Sequence, residues 1–185
     1  MTERELPDGD WARMAGVVPD AETRIDLCKG WLVGAAVGQN WDDPSCAYLT
    51  NKALYVERGT DLVGGEPIKI PLEEVLRAGT VKNDQGLPRL VVMSDPRGRN
   101  NPADLVGVAI DLRPPDRGSS FGQSVARAIH VRDLQHSIAV LLANPALLLA
   151  EMEEVQSLRE ELAELGAEPD QELNAEIKRS TPWPR

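Results

Sequence analysis

The chain is poor in several residue types, and each shortage excludes something. Among 185 residues there are two cysteines, two histidines, two tyrosines and a single phenylalanine. Cys28 and Cys46, 18 positions apart, make neither a disulfide framework nor a thiolate metal site of the usual spacing. His130 and His136 are too few to suggest a histidine-rich metal centre, and the reading of each is a polar side chain rather than a ligand. Basic residues are outnumbered: 20 Lys and Arg stand against 30 Asp and Glu, a formal net charge of −10. That balance argues against nucleic acid as a partner and against strong binding to anionic membranes, because both need a basic face. The longest apolar run, Ile138 to Ala143, has six residues, far below the ~20 that span a bilayer. The opening MTERELPDGD has no apolar core of a signal peptide, so a cytoplasmic protein is expected. No Walker or Rossmann glycine spacing follows a strand, and neither GxSxG nor HExxH occurs. The expectation is therefore no enzyme, no catalytic residue, no metal and no cofactor.

What is present reads as a mainly β domain with C-terminal helices. Residues 1–30 look like a leader, with Asp20 capping a short helix over residues 21–29 and Gly30 stopping it. From Trp31 to Asn144 short apolar runs are divided by Gly, Pro, Asn and Asp, the pattern of antiparallel strands rather than βαβ units. The sharpest local signal is Cys46 to Glu57, CAYLTNKALYVE. Asn51-Lys52 suits a two-residue turn, which sets Leu49 against Leu54 and Ala47 against Val56 on one face. Tyr48 then meets Tyr55 on the other face, a favourable cross-strand pair. Further strands are expected at residues 31–38, 68–71, 75–82, 88–94 and 104–112.

Residues 119–144 carry two patterns. Ser120 with Gln123 matches a capping box, and Phe121, Val125 and Ile129 recur every four residues, as a helix would have them. Val125, Ile129 and Val131 alternating with Ala126, Ala128 and His130 fit a strand. Asp133 is a good N-cap for a new helix, and this decides for a strand to Val131 and a helix from Asp133 to Ala143. Residues 145–178 read as an acidic amphipathic helix, with 10 acidic residues and one basic between Glu151 and Glu176. Leu148, Val155 and Leu162 repeat every seven residues, with Leu158 and Leu165 on the adjacent row, which suits packing against a partner helix. Residues 179–185 read as a flexible tail.

The run Ala47-Tyr-Leu-Thr-Asn-Lys-Ala-Leu-Tyr-Val56 resembles the hairpin of bacterial pleckstrin-homology-like (PH-like) and GRAM-like domains. Ile70-Pro-Leu-Glu-Glu-Val75 is similar to the step that follows it there, and Ala128 to Leu142 to their last strand and closing helix. The resemblance implies a strongly bent antiparallel barrel or sandwich, plugged at one end by a C-terminal helix. It also implies where a charged headgroup would sit, on cations of the first strand pair and its loop. Here that loop, Gln39 to Pro44, holds Asp42 and Asp43 and no cation.

Two functions follow as expectations. The first is a protein-interaction module, with Trp41 as an anchor or else folded over the barrel mouth, and with Leu148, Val155, Leu158, Leu162 and Leu165 as an interaction or homodimer stripe. The second is a site for a small ligand or anionic headgroup. Arg113, Arg117, Ser119 and Ser120 bring two guanidinium groups and two hydroxyls into one expected loop, a set suited to phosphate.

Overall fold

Asn51 and Lys52 turn the chain between β2 (Asn40–Thr50) and β3 (Ala53–Arg58) in the register expected, with Leu49 opposite Leu54, Tyr48 opposite Tyr55 and Ala47 opposite Val56. Thr50 holds the turn: its Oγ1 accepts from the amides of Lys52 (3.2 Å) and Ala53 (2.9 Å). The computed structural model to which these elements belong describes residues 18–19, 21–35, 40–58, 67–98, 105–144 and 149–180. The chain divides into two units, residues 2–128 and 129–185.

The first unit is a seven-stranded antiparallel sheet. To the hairpin it adds β1 (Arg24–Ala35), β4 (Ile68–Pro71), β5 (Val75–Lys82), β6 (Pro88–Ser94) and β7 (Val106–Arg113), in the order β4-β3-β2-β1-β7-β6-β5. The edges, β4 and β5, are not paired with each other, so the sheet is open. They are joined only by a 3-10 turn, Leu72–Glu74. Four steps of chain reach at most ~14 Å, so the two edges must come near each other and the sheet must bend strongly. Inward residues of β1 to β4, β6 and β7 form the core, including Leu32, Leu49, Leu54, Ile70, Leu90, Ile110 and Leu112, each at most 2% exposed. The tyrosine side of the hairpin is buried as well. Val18, ahead of the sheet, packs over Leu27, Cys46, Tyr48, Ala53 and Tyr55.

Three expectations are corrected. Residues 24–29 are not part of a leader helix but the start of β1, where Leu27 pairs with Tyr48 and Cys28 with Ala47. Pairing along a whole neighbouring strand outweighs the weak helical preference of so short a segment. Residues 40–44 are not a loop either. They extend β2, with Asn40 opposite Gly34 and Pro44 opposite Trp31, across an irregularity in β1 at Leu32/Gly34. Finally, residues 115–143 form one helix, α1 (Pro115–Ala143), with no strand to Val131 and no new start at Asp133. Phe121, Val125, Ala128, Leu134 and Ile138 are buried, and partly buried Val131 fills the step between Ala128 and Leu134. Those intervals of three and four are one helical stripe. Asp133 is exposed on its outer side. Ala128 to Asp133 is thus not a last strand; β7 is.

The second unit takes the rest of α1 with α2 (Leu149–Glu164) and α3 (Gln171–Ser180). Gly166, at φ 66°, ends α2, and the amide of Ala167 returns to the Leu162 carbonyl (3.1 Å). Asp170 caps α3, its Oδ1 accepting from the amides of Glu172 and Leu173, both at 3.0 Å.

Candidate binding surface

The first turns of α1 come very close to the sheet, because Gly118 and Gly122 carry no side chain there. A Cβ on Gly118 would stand 2.5 Å from Leu112 Cβ and 2.8 Å from Pro88 Cγ, and one on Gly122 would overlap Thr80 Oγ1. Arg117 accordingly points inward. Its Nη2 donates to Asp26 Oδ1 and to the Leu27 carbonyl (2.9 Å). Asp26, buried in β1, also accepts from Ser124 Oγ (2.7 Å) and from the Leu27 amide (2.9 Å). A carboxylate so enclosed is stable only because each of its oxygens finds a donor.

The expected phosphate set is therefore not one loop. Arg113 ends β7, whereas Arg117, Ser119 and Ser120 lie in α1. Arg117 is committed to Asp26, and Ser119 Oγ donates to the Pro115 carbonyl (3.0 Å). The Ser120 carbonyl accepts from Ser124 Oγ (3.2 Å). Arg113 alone of the four faces an open cleft, with its guanidinium 5.7 Å from the centre of the Trp31 ring. Such stacking orients a cation without neutralising it.

That cleft, about 310 Å³, is lined by Trp31, Val33, Asn83, Arg89, Asp111 and Arg113 among others. Asp111 is fully engaged within it. It receives Arg89 Nε (2.5 Å) and Nη2 (3.0 Å) and Asn83 Nδ2 (2.8 Å). The Arg89 guanidinium and then the Asn83 amide hold its carboxyl below the usual range, and Arg89 is raised in return. A second, shallower groove of about 680 Å³ shares Gln85 and Arg113 with the first and continues over Lys29, Leu87, Pro114 and Pro115.

The other sites named from sequence fall elsewhere. The backbone of Trp41 lies in β2, and its side chain lies outside what is described. The leucine stripe of α2 is spent inside its own chain. Val155 and Leu162 are buried with Leu134 and Ile138 of α1, with Leu158 and Leu165 partly buried beside them; Leu148 lies outside the described residues. A stripe of that spacing packs as well on a helix of the same chain as on another chain. Cys28 and Cys46 are buried and neither is in a disulfide. They sit on adjoining strands one register step apart, so their side chains leave opposite faces. Burial pushes the Cys28 thiol up to about 11. Sequence reading missed Trp31, Lys29, Arg89 and Asp111 as site residues. The signal available for them was the pairing of β1 with β7, which sets Lys29 opposite Arg113 and Trp31 opposite Asp111.

Comparison with protein families finds no match, and none of the curated proteins matches the chain. Solved structures similar to it include a chain of the 8S snRNP assembly intermediate, at 14% identity and TM-score 0.47, covering 61% of this chain and 87% of that one. The Vps36 N-terminal PH domain is similar at 13% identity and TM-score 0.42, over 60% of this chain and 82% of that chain. The C-terminal domain of an unknown protein from Leishmania infantum gives 12% and 0.40, over 64% and 93%.

Proposed function

We propose that this chain is a non-enzymatic, PH-like protein-interaction module of the cytoplasm, engaging a protein partner through the cleft where Arg113 stacks on Trp31. The carrying observation is the contrast among the arginines. Arg89 is paired with Asp111 and Arg117 with Asp26, while Arg113 lies over an aromatic face, in no close ion pair among the described residues, and meets the Asp111 carboxylate only through space. An oriented guanidinium beside a Trp, outside any close ion pair, is the kind of side-chain pair that dominates protein interfaces. The seven-stranded bent sheet followed by a helix supports the PH-like part of the reading. A Cys28 thiol held near 11 supports the non-enzymatic part, since it is a poor nucleophile at neutral pH. Two cysteines that form no disulfide suit a reducing compartment. The phosphate reading is the weaker one, because Arg117 and Ser119 already have partners in the chain.

The test is quantitative retention of partner proteins on the immobilised full chain, comparing wild type with Trp31→Ala and Arg113→Glu. Loss of about tenfold or more for both variants, with the circular dichroism unchanged, is expected; tenfold corresponds to about 1.4 kcal/mol. Equal retention by all three would contradict the reading. Vesicles of anionic lipid should not sediment the chain at physiological salt.

A further inference from the structure

From Leu90 to Met93 in β6 and from Gly107 to Ile110 in β7 the chain does not alternate between apolar and polar residues as an antiparallel strand with one wet face should. The inward residues there, Leu90, Val92, Val108 and Ile110, are each at most 1% exposed. The outward residues of the two strands are apolar over one half, at Val91, Met93, Gly107 and Ala109, and charged over the other, at Arg89, Asp111 and Arg113. Val91 pairs with Ala109 on one side and Gly79 on the other; Met93 pairs with Gly107 and Arg77; and Val81 stands on the same side of β5. This is the side away from α1, which lies against Pro88, Leu112 and Thr80 of the inner face. On the outward side Val81 is 54% and Met93 37% exposed. A strand apolar on both sides is normally covered on both sides. Over β1 to β3 the same outward face is covered, by Val18.

We propose that the outward face of β5, β6 and β7 is the docking site for an amphipathic helix of a partner protein, apolar toward Val81, Val91, Met93 and Ala109 and carrying carboxylates at its ends. This rests on the reading of the chain as an interaction module and names the chemistry of its partner. Charge sets the ends. Arg77 lies beside Met93 at one end of the apolar strip and Arg113 beyond the Arg89–Asp111 pair at the other; neither is in a close ion pair among the described residues, and Arg113 meets the Asp111 carboxylate only through space. From Gly107, in the Met93 row, to Arg113 is six residues of strand, about 20 Å. One phosphate or headgroup cannot bridge cations so far apart, whereas about 13 residues of helix span that distance. Shape agrees. A Cβ on Gly79 would meet nothing within 4 Å, and one on Gly107 only the Val92 carbonyl at 4.0 Å. The floor of the strip is low and lets a helix settle close to the sheet.

The test is titration of the isotope-labelled full chain with a 15-residue helix-forming peptide of leucine, alanine and glutamate, apolar on one face and acidic at both ends. A scrambled peptide of the same composition, the same peptide with lysine for glutamate, and vesicles of anionic lipid serve as the other arms. Saturable shifts at Val81, Val91, Met93 and Ala109 are expected with the first peptide only. Affinity should fall about tenfold or more in Met93→Asp and in Arg113→Glu, and Arg113→Glu suffices if Met93→Asp does not fold. Absence of binding, shifts confined to other elements, equal binding of the scrambled or lysine peptide, or the same shifts with vesicles would each overturn the proposal. If partner retention still depends on Trp31 while the peptide leaves this face unshifted, the helix inference fails and the module reading stands. Loss of both removes the module reading itself.

Discussion

Arg117 in α1 reaches Asp26 in β1, 91 positions earlier in the chain, and with Ser124 it fixes the helix to the strand. Asp26 is among the few buried charged residues, so its worth depends on keeping its donors. Asp26→Ala should cost about 3–5 kcal/mol in urea unfolding, because it strands the Arg117 guanidinium. Asp26→Leu combined with Arg117→Met should recover most of that loss. A double variant no more stable than the single one would mean that the pair itself supplies the stability.

The glycines of α1 make a steric prediction. Gly118→Val places atoms against Leu112 and Pro88, and should cost about 1–3 kcal/mol or more. Gly79→Ala points into open space and should be neutral or slightly stabilising. Denaturant midpoints for the two variants check the contrast. Equal midpoints would mean that α1 does not sit so close to β7.

Much of the sheet is legible in the sequence because its signals are local. The hairpin is set by one turn dipeptide and a register that satisfies Tyr48, Leu49, Leu54 and Tyr55 together. Strands β4 to β7 are bounded by Gly, Pro and Asn, and lie within two residues of where they are expected. The start of α1 is obscured by Gly118, Ser119, Ser120 and Gly122, which look like loop residues. Two of them are small for a tertiary reason, contact with Leu112 and Thr80, that periodicity does not carry. The start of β1 is hidden by Asp26, a buried acid whose partners lie about a hundred residues away. The proposed docking face is marked in part: the unbroken apolar run Leu90 to Met93 stands in a fold whose strands should alternate.

Acid should weaken the Asp111 cluster. Its folded carboxyl titrates below the ordinary value of about 3.9, so the stability it contributes is complete above that pH. That contribution is lost as the pH falls through the lower, folded value. Urea midpoints of wild type and Asp111→Asn, compared from pH 5 to pH 2, should converge at the acid end. A gap that stays constant across that range would mean that Arg89 and Asn83 do not act through charge.

The leucines of α2 act within the chain. Leu162 is fully buried beside Leu134 and Ile138, so Leu162→Ala should cost about 2–5 kcal/mol of the stability of the helical unit. Leu158→Asp with Leu162→Asp should lower its melting temperature and its helical circular dichroism signal. Unchanged melting would mean that the stripe is not packed on α1.

The most direct measurement of where partners bind is site-specific photo-crosslinking, with a photoreactive residue placed at Met93 or at Met152 of the full chain. Both methionines are exposed, at 37% on β6 and 55% on α2, so accessibility alone does not favour the sheet. The prediction is a discrete adduct from position 93 that disappears in Arg113→Glu, and none from position 152. Adducts from position 152 alone, or from position 93 regardless of Arg113, would contradict binding on the outward face of β5 to β7.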